Sequence, residues 1–138
     1  MRKMIGIVAG LVLANLLVFG WESVLPWLPF GGAWTQSPAE MVAALPVAAQ
    51  LWVVAGWALA TLVGAFTAFR IGHSDWTGWV VAGVEGALCV ANVLMIPHPL
   101  WMRLAAVAAP FLGAVFGFGL YRRWRAAHLH LRRARAAD

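Results

Sequence analysis

The chain has 138 residues, of which 63% are hydrophobic and only 11% charged, whereas a soluble domain averages about 25% charged residues. That deficit excludes a surface solvated throughout by water, and the length allows one domain. The net charge of +5 would point to nucleic acid if the bases covered a folded surface. Six of the ten instead lie between Arg122 and Arg135, the pattern of a positive-inside anchor. Nucleic acid is therefore not an expected partner.

The first apolar run covers residues 4–21, behind Arg2 and Lys3. It is long for the core of a signal peptide and no Ala-x-Ala site follows, so it reads as a retained span. From Glu22 to Ser37, Pro26, Pro29, Gly31 and Gly32 break the pattern. Trp27, Phe30 and Trp34 make this break apolar, and tryptophan favours the headgroup region. The segment is expected to lie along the membrane surface.

Ser37-Pro38-Ala39-Glu40 has the spacing of a capping box, with proline at the first helical position. Pro46 then kinks that turn or starts a new segment. The second span is expected over 47–69, a rise of roughly 34 Å. Arg70 to Thr77 is a polar turn in which Ser74 or Asp75 can cap the next helix. The third span is expected over 78–96 and stops at Pro97-His98-Pro99. The fourth is expected over 100–121, with 122–138 a basic cytoplasmic tail. Pro110 is expected to bend it.

With four spans, Arg2, Lys3, Arg70 and the six tail arginines share one side, nine positive residues against Arg103 alone. The positive-inside rule places both ends in the cytoplasm. The expected fold is therefore all-α: a polytopic membrane protein, a four-transmembrane-helix bundle, N-in/C-in, forming a single membrane domain.

Lipid tails are as apolar as leucine, so spans associate through close packing of small residues. Gly56, Ala60, Gly64 and Ala68 recur every fourth residue in the second span, and Gly113 and Gly117 share that spacing in the fourth. Both sets read as helix-packing seams, as do Gly83 and Gly86 in the third. The lone Cys89 excludes an intrachain disulfide and reads as a small buried hydrophobe.

Polar groups at bilayer depth face a partner or a cavity. Asn15 and Glu22 lie seven apart on the first span, and Glu85, Cys89 and Asn92 share a face of the third. Asn15, Glu85 and Asn92 are the intramembrane candidates, the two faces being expected to meet. Glu85 is the deepest. It serves as a hydrogen-bonded structural acid or as a proton or substrate site. Glu22, His98 and Arg103 are candidates at the outer boundary, where Glu22 is expected to pair with Arg103 or His98. His73, His128 and His130 lack metal-ligand company, so neither a metal nor another cofactor is expected. Phosphate loops, zinc-protease motifs and nucleophile elbows are absent from the sequence, and no catalytic residue is assigned.

Two stretches carry a likeness. One runs from Gly56-Trp57-Ala58-Leu59 through Gly64 to Ala68-Phe69-Arg70-Ile71. The other is Ala91-Asn92-Val93-Leu94-Met95-Ile96-Pro97-His98-Pro99-Leu100-Trp101. With Glu22 closing the first span, they resemble a family of small, uncharacterised bacterial inner-membrane proteins with four helices. Where members carry a histidine one turn after that glutamate, this chain has Pro26. The resemblance implies a multi-pass bacterial inner-membrane protein and implies no activity.

Three functions compete. A non-enzymatic module binding a lipid, a membrane-protein partner or a second copy of itself requires Glu85 to be hydrogen-bonded and closed in. A proton-coupled carrier or channel requires a cavity reaching Glu85, Asn15 and Asn92. A lipid-directed enzyme requires Glu22 and His98 within hydrogen-bond reach. The first is the expectation.

Overall fold

The computed structural model describes residues 1–29, 37, 40, 42 and 44–135, with side chains as far as residue 129. It is all-helical, with four long helices: α1 (Arg2–Val24), α2 (Val47–Gly72), α3 (Thr77–Met95) and α4 (Leu100–Arg135). Each contains a stretch of mean hydropathy between 1.6 and 2.2, so all four are long and apolar enough to cross a membrane. They alternate in direction. One end of the bundle gathers the start of α1, the α2–α3 turn and the tail of α4. The other gathers the end of α1, the approach to α2 and the α3–α4 turn.

The boundaries follow local chemistry. α1 runs past the expected break to Val24 and passes into a 3-10 turn at Leu25–Trp27, where Pro26 has no N–H to extend the ladder. Glu22 therefore sits inside the last helical turn. The capping box forms: the Glu40 N–H donates to Ser37 Oγ at 3.4 Å, and the Ser37 N–H donates to Glu40 Oε2 at 3.1 Å. With the Ser37 hydroxyl, this holds the Glu40 carboxyl below its ordinary range. Pro46 starts a new segment, its carbonyl accepting from the N–H groups of Ala49 and Gln50. The part of the break that carries Phe30 and Trp34, expected to lie along the membrane surface, falls outside the described residues.

α2 ends where His73 enters the left-handed region at φ 48°, the conformation of a helix C-cap. Neither Ser74 nor Asp75 caps α3. Trp76 holds that position without a side-chain cap, and Asp75 instead lies 3.5 Å from Arg125 on the exposed tail. Thr77 closes the turn, its hydroxyl reaching the Ala68 and Ser74 carbonyls at 2.8 and 3.0 Å. α4 starts on the Pro99 carbonyl and runs unbroken through Pro110 into the basic segment.

The bundle is small inside and large outside. Ala14, Ala49, Ala65, Ala68, Ala106 and Ala114 are fully buried, while Val8, Val12, Leu16 and Phe19 of α1 are each more than half exposed. In water such a surface would be an association site, whereas in lipid it is the solvated face. At the basic end, Phe69 stacks on Tyr121 at 5.6 Å, and Arg70 lies over Trp124 at 5.0 Å.

Backbone contact sets the helix spacing, and α2 packs against all three partners. A Cβ added to Gly10 would stand 2.5 Å from the Gly64 carbonyl oxygen, and one on Gly6 2.8 Å from the Gly72 nitrogen. On α4, a Cβ on Gly113 would collide with the Ala58 carbonyl, and one on Gly117 would lie 2.8 Å from that of Leu62. Ala60, 1% exposed, is interior as well. The α1 half of the seam, Gly6-Gly10-Ala14, is additional to the set expected from sequence. Gly83 and Gly86 do not pack: nothing lies within 4 Å of a Cβ on either, and both line an open groove between α3 and α4.

Gly64→Leu should therefore destabilise by about 1–3 kcal/mol through overpacking, since a Cβ there stands 2.7 Å from the Gly10 carbonyl oxygen. Gly83→Leu should be nearly neutral. Thermal unfolding of both variants in one detergent checks this, and equal losses would refute the assignment of the seam.

Candidate functional site

Two polar centres lie on the α1–α3 side, at different heights. The deeper one is near the middle of α3. Glu85 is 4% exposed, and its Oε1 accepts from Asn15 Nδ2 at 2.9 Å. The same amide donates to the Leu11 carbonyl at 2.9 Å, one turn back on α1. Asn15 thus spends its donors on its own helix and on α3. Cys89, buried one turn further along α3, lies within electrostatic range of both Glu85 and Glu22.

The second centre is at the end of the bundle away from the basic segment. Trp21 and Trp52 build its frame by exchanging hydrogen bonds. The Trp21 indole donates to the Trp52 carbonyl at 2.8 Å, and the Trp52 indole donates to the Trp21 carbonyl at 3.2 Å. Their rings stack at 4.2 Å and 16°. The Trp21 carbonyl is among the last four of α1, which have no helical donor, so the Trp52 indole fills a vacant position. Gly56 makes this possible, because a Cβ there would stand 2.5 Å from the Trp21 ring.

The clamp brings Glu22 to the cavity that it lines together with Trp57. Beyond Trp57, 3% exposed, is the His98 ring, its centroid 6.4 Å away. Glu22, Asn92, Trp57 and His98 line a cavity of about 140 Å³, with apolar walls from Leu25, Val53 and Met102 among others. That is roughly the volume that holds a benzene-sized molecule.

The polar lining is rich in acceptors. Asn92 Oδ1 is buried and, among the described residues, has no hydrogen-bond partner. His98 Nδ1 lies 2.6 Å from the Ile96 carbonyl. A carbonyl only accepts, so Nδ1 is the donor in this contact. Glu22 has no cationic partner among the described residues, where the single ion pair is Arg125–Asp75.

The expected pairing of Glu22 with Arg103 or His98 does not form. Arg103 Nε donates instead to the His98 carbonyl at 3.0 Å, bracing the α3–α4 turn. Glu22 and His98 share the cavity without a bond between them. Asn15 meets Glu85, while Asn92 belongs with Glu22 at the shallower level. No three His, Cys, Asp or Glu side chains among the described residues are grouped to hold a metal.

Sequence reasoning missed Trp57, the Trp21–Trp52 exchange and Gln50. Gln50 is 6% exposed; its amide donates to the Leu45 carbonyl at 2.9 Å, and its oxygen accepts from the Trp101 indole at 3.1 Å. Trp52 and Trp57 read as span hydrophobes, and nothing in the pattern shows where an indole N–H is aimed. Comparison with protein-family models, with curated proteins and with solved structures returns no match.

Asn15→Leu removes the donor to Glu85 and should lower stability by about 1 kcal/mol, the scale of interhelical hydrogen bonds in membranes. Asn15→Leu/Glu85→Leu, which removes both partners, should recover most of that loss. A double-mutant cycle read by unfolding in detergent measures the coupling, and a coupling of zero would show that the bond contributes nothing.

Proposed function

We propose that this chain is a multi-pass bacterial inner-membrane protein, both termini cytoplasmic, that binds a membrane lipid or partner without catalysis. The observation that carries this reading is the contrast between the two polar centres. The deep carboxylate, Glu85, is closed in and already hydrogen-bonded. The shallower cavity is lined by the half-buried Glu22 and by Asn92, whose buried Oδ1 has no donor among the described residues. A carrier using Glu85 needs a cavity at that depth, whereas the cavity lined by Asn92 stands at Glu22. The charge asymmetry of nine to one supports the orientation. The Ile-Pro-His-Pro-Leu-Trp stretch, which carries the family likeness, supplies Ile96 and His98 to the cavity.

Native mass spectrometry of the detergent-purified chain should show a retained lipid or partner, and Val53→Phe, which puts a ring into the cavity, should reduce it. Proteoliposomes should show no proton flux that depends on Glu85. A flux abolished by Glu85→Gln would overturn the reading in favour of a carrier. Orientation is checked by Leu129→Cys in intact cells, which an impermeant thiol reagent should label only after lysis. Labelling before lysis would reverse the topology.

A further inference from the structure

We propose that the Glu22 cavity takes the primary ammonium headgroup of a membrane lipid, an ethanolamine-type amine; this rests on the binding reading above. Three residues that carry acceptor atoms line one space: Glu22, Asn92, whose buried Oδ1 has no hydrogen-bond partner among the described residues, and His98, whose Nδ1 is 2.6 Å from the Ile96 carbonyl. A primary ammonium is the complementary group, a cation with three N–H donors and no acceptor. Glu22 has no cationic partner among the described residues, and Trp57 belongs to the cavity wall. An anionic ligand would meet repulsion from Glu22 and no positive charge in the lining. A quaternary ammonium has the charge but no N–H, so it donates to none of the lining acceptors, the Glu22 carboxylate included.

Arg103 decides the source of the amine. It follows Met102, a cavity wall, and its Nε is tied to the His98 carbonyl. That bond uses one of the five N–H donors of the guanidinium. The others make no hydrogen bond among the described residues, on a side chain bonded to the backbone of cavity-lining His98, and they suit the phosphate that follows the ammonium of an ethanolamine lipid by two methylenes. Free ethanolamine has no such phosphate. The cavity volume of about 140 Å³ accommodates the ammonium and its methylenes, while the acyl chains stay with the exposed apolar faces of α1 and α4.

The test is native mass spectrometry of the whole chain in non-ionic detergent, titrated with equal amounts of dioleoyl-phosphatidylethanolamine and dioleoyl-phosphatidylcholine. The wild type should retain the ethanolamine lipid about tenfold over the choline lipid, the ratio that one charge-assisted hydrogen bond supplies. Glu22→Gln and Asn92→Leu should each bring that ratio close to one. Asn92→Leu should also raise the unfolding temperature of the lipid-free protein, because it deletes a buried unpaired acceptor. Loss of preference then cannot be ascribed to unfolding. Gly83→Leu, on the open groove of α3, should keep the wild-type ratio. Ethanolamine hydrochloride alone should give a far weaker thermal shift than the lipid, and a shift as large would overturn the lipid source. Equal retention of the two lipids by the wild type, or a preference untouched by both cavity variants, would overturn the ammonium site and leave the binding reading standing. Retention of neither lipid and of no partner would overturn the binding reading itself.

Discussion

The architecture depends on the approach of α2 to its neighbours at backbone distance. Hydrophobic burial does little to join helices whose alternative solvent is lipid. What remains is dispersion between closely fitted surfaces, and that term falls away within an ångström of separation. Gly10 against Gly64 and Gly113 against Ala58 remove the side-chain layer that would otherwise hold the helices apart. α2 uses one face, with Gly64 and Ala68, for α1 and another, where Ala58, Leu62 and Ala65 meet Gly113 and Gly117, for α4. The large side chains are displaced outward, where Val8, Val12, Leu104 and Phe116 are exposed.

That approach positions the polar groups. Glu85 is buried where α3 faces α1, so its carboxylate needs a partner from a neighbouring helix. Asn15 reaches α3 and meets Glu85. Towards the other end the helices separate enough to admit tryptophan, and the contact changes from glycine on glycine to Trp21 lying over Gly56. The reciprocal indole bonds fix the rotation of α1 about its axis at that height. Glu22, the next residue, is thereby aimed at Trp57 and the cavity. A one-residue change in the Trp21 register would turn Glu22 by about 100° on a helix of 3.6 residues per turn.

Much of this is visible in the sequence, and the limit has a physical cause. Long apolar runs, punctuated by Pro46 and by Pro97-His98-Pro99, mark the four helices because chain length and backbone chemistry act locally. The four-residue spacing of Gly56 to Ala68 marks a face for the same reason. Spacing does not say which face has a neighbour: Gly83 and Gly86 look like a seam and lie open, while Gly6 and Gly10 are in contact. The polar faces of α1 and α3 are readable as faces, and Asn15 with Glu85 is the pair that helical periodicity suggests. The environment of Glu22 is not readable, because it is set by an indole from α2 and by a turn whose arginine bonds backbone instead of carboxylate.

The two carboxylates then have different physical standing. Glu85 lies where an unmet polar group is most expensive, and its Asn15 bond accounts for its presence without an external ligand. The cavity at Glu22 departs from that economy. A buried acceptor without a donor costs about 1–3 kcal/mol, a sizeable part of the roughly 5–15 kcal/mol that keeps a typical domain folded. An apolar side chain at position 92 would avoid it. The bundle holds the cavity open nonetheless, with the Trp21–Trp52 clamp on one side and the Arg103-braced turn on the other. Both braces use tryptophan or arginine donors on backbone carbonyls and leave the acceptors that line the cavity uncommitted. A frame that satisfies its own carbonyls while leaving Glu22 without a cation and Asn92 Oδ1 without a donor among the described residues supports the proposed ammonium site. A purely structural packing of the same helices would have no need of one.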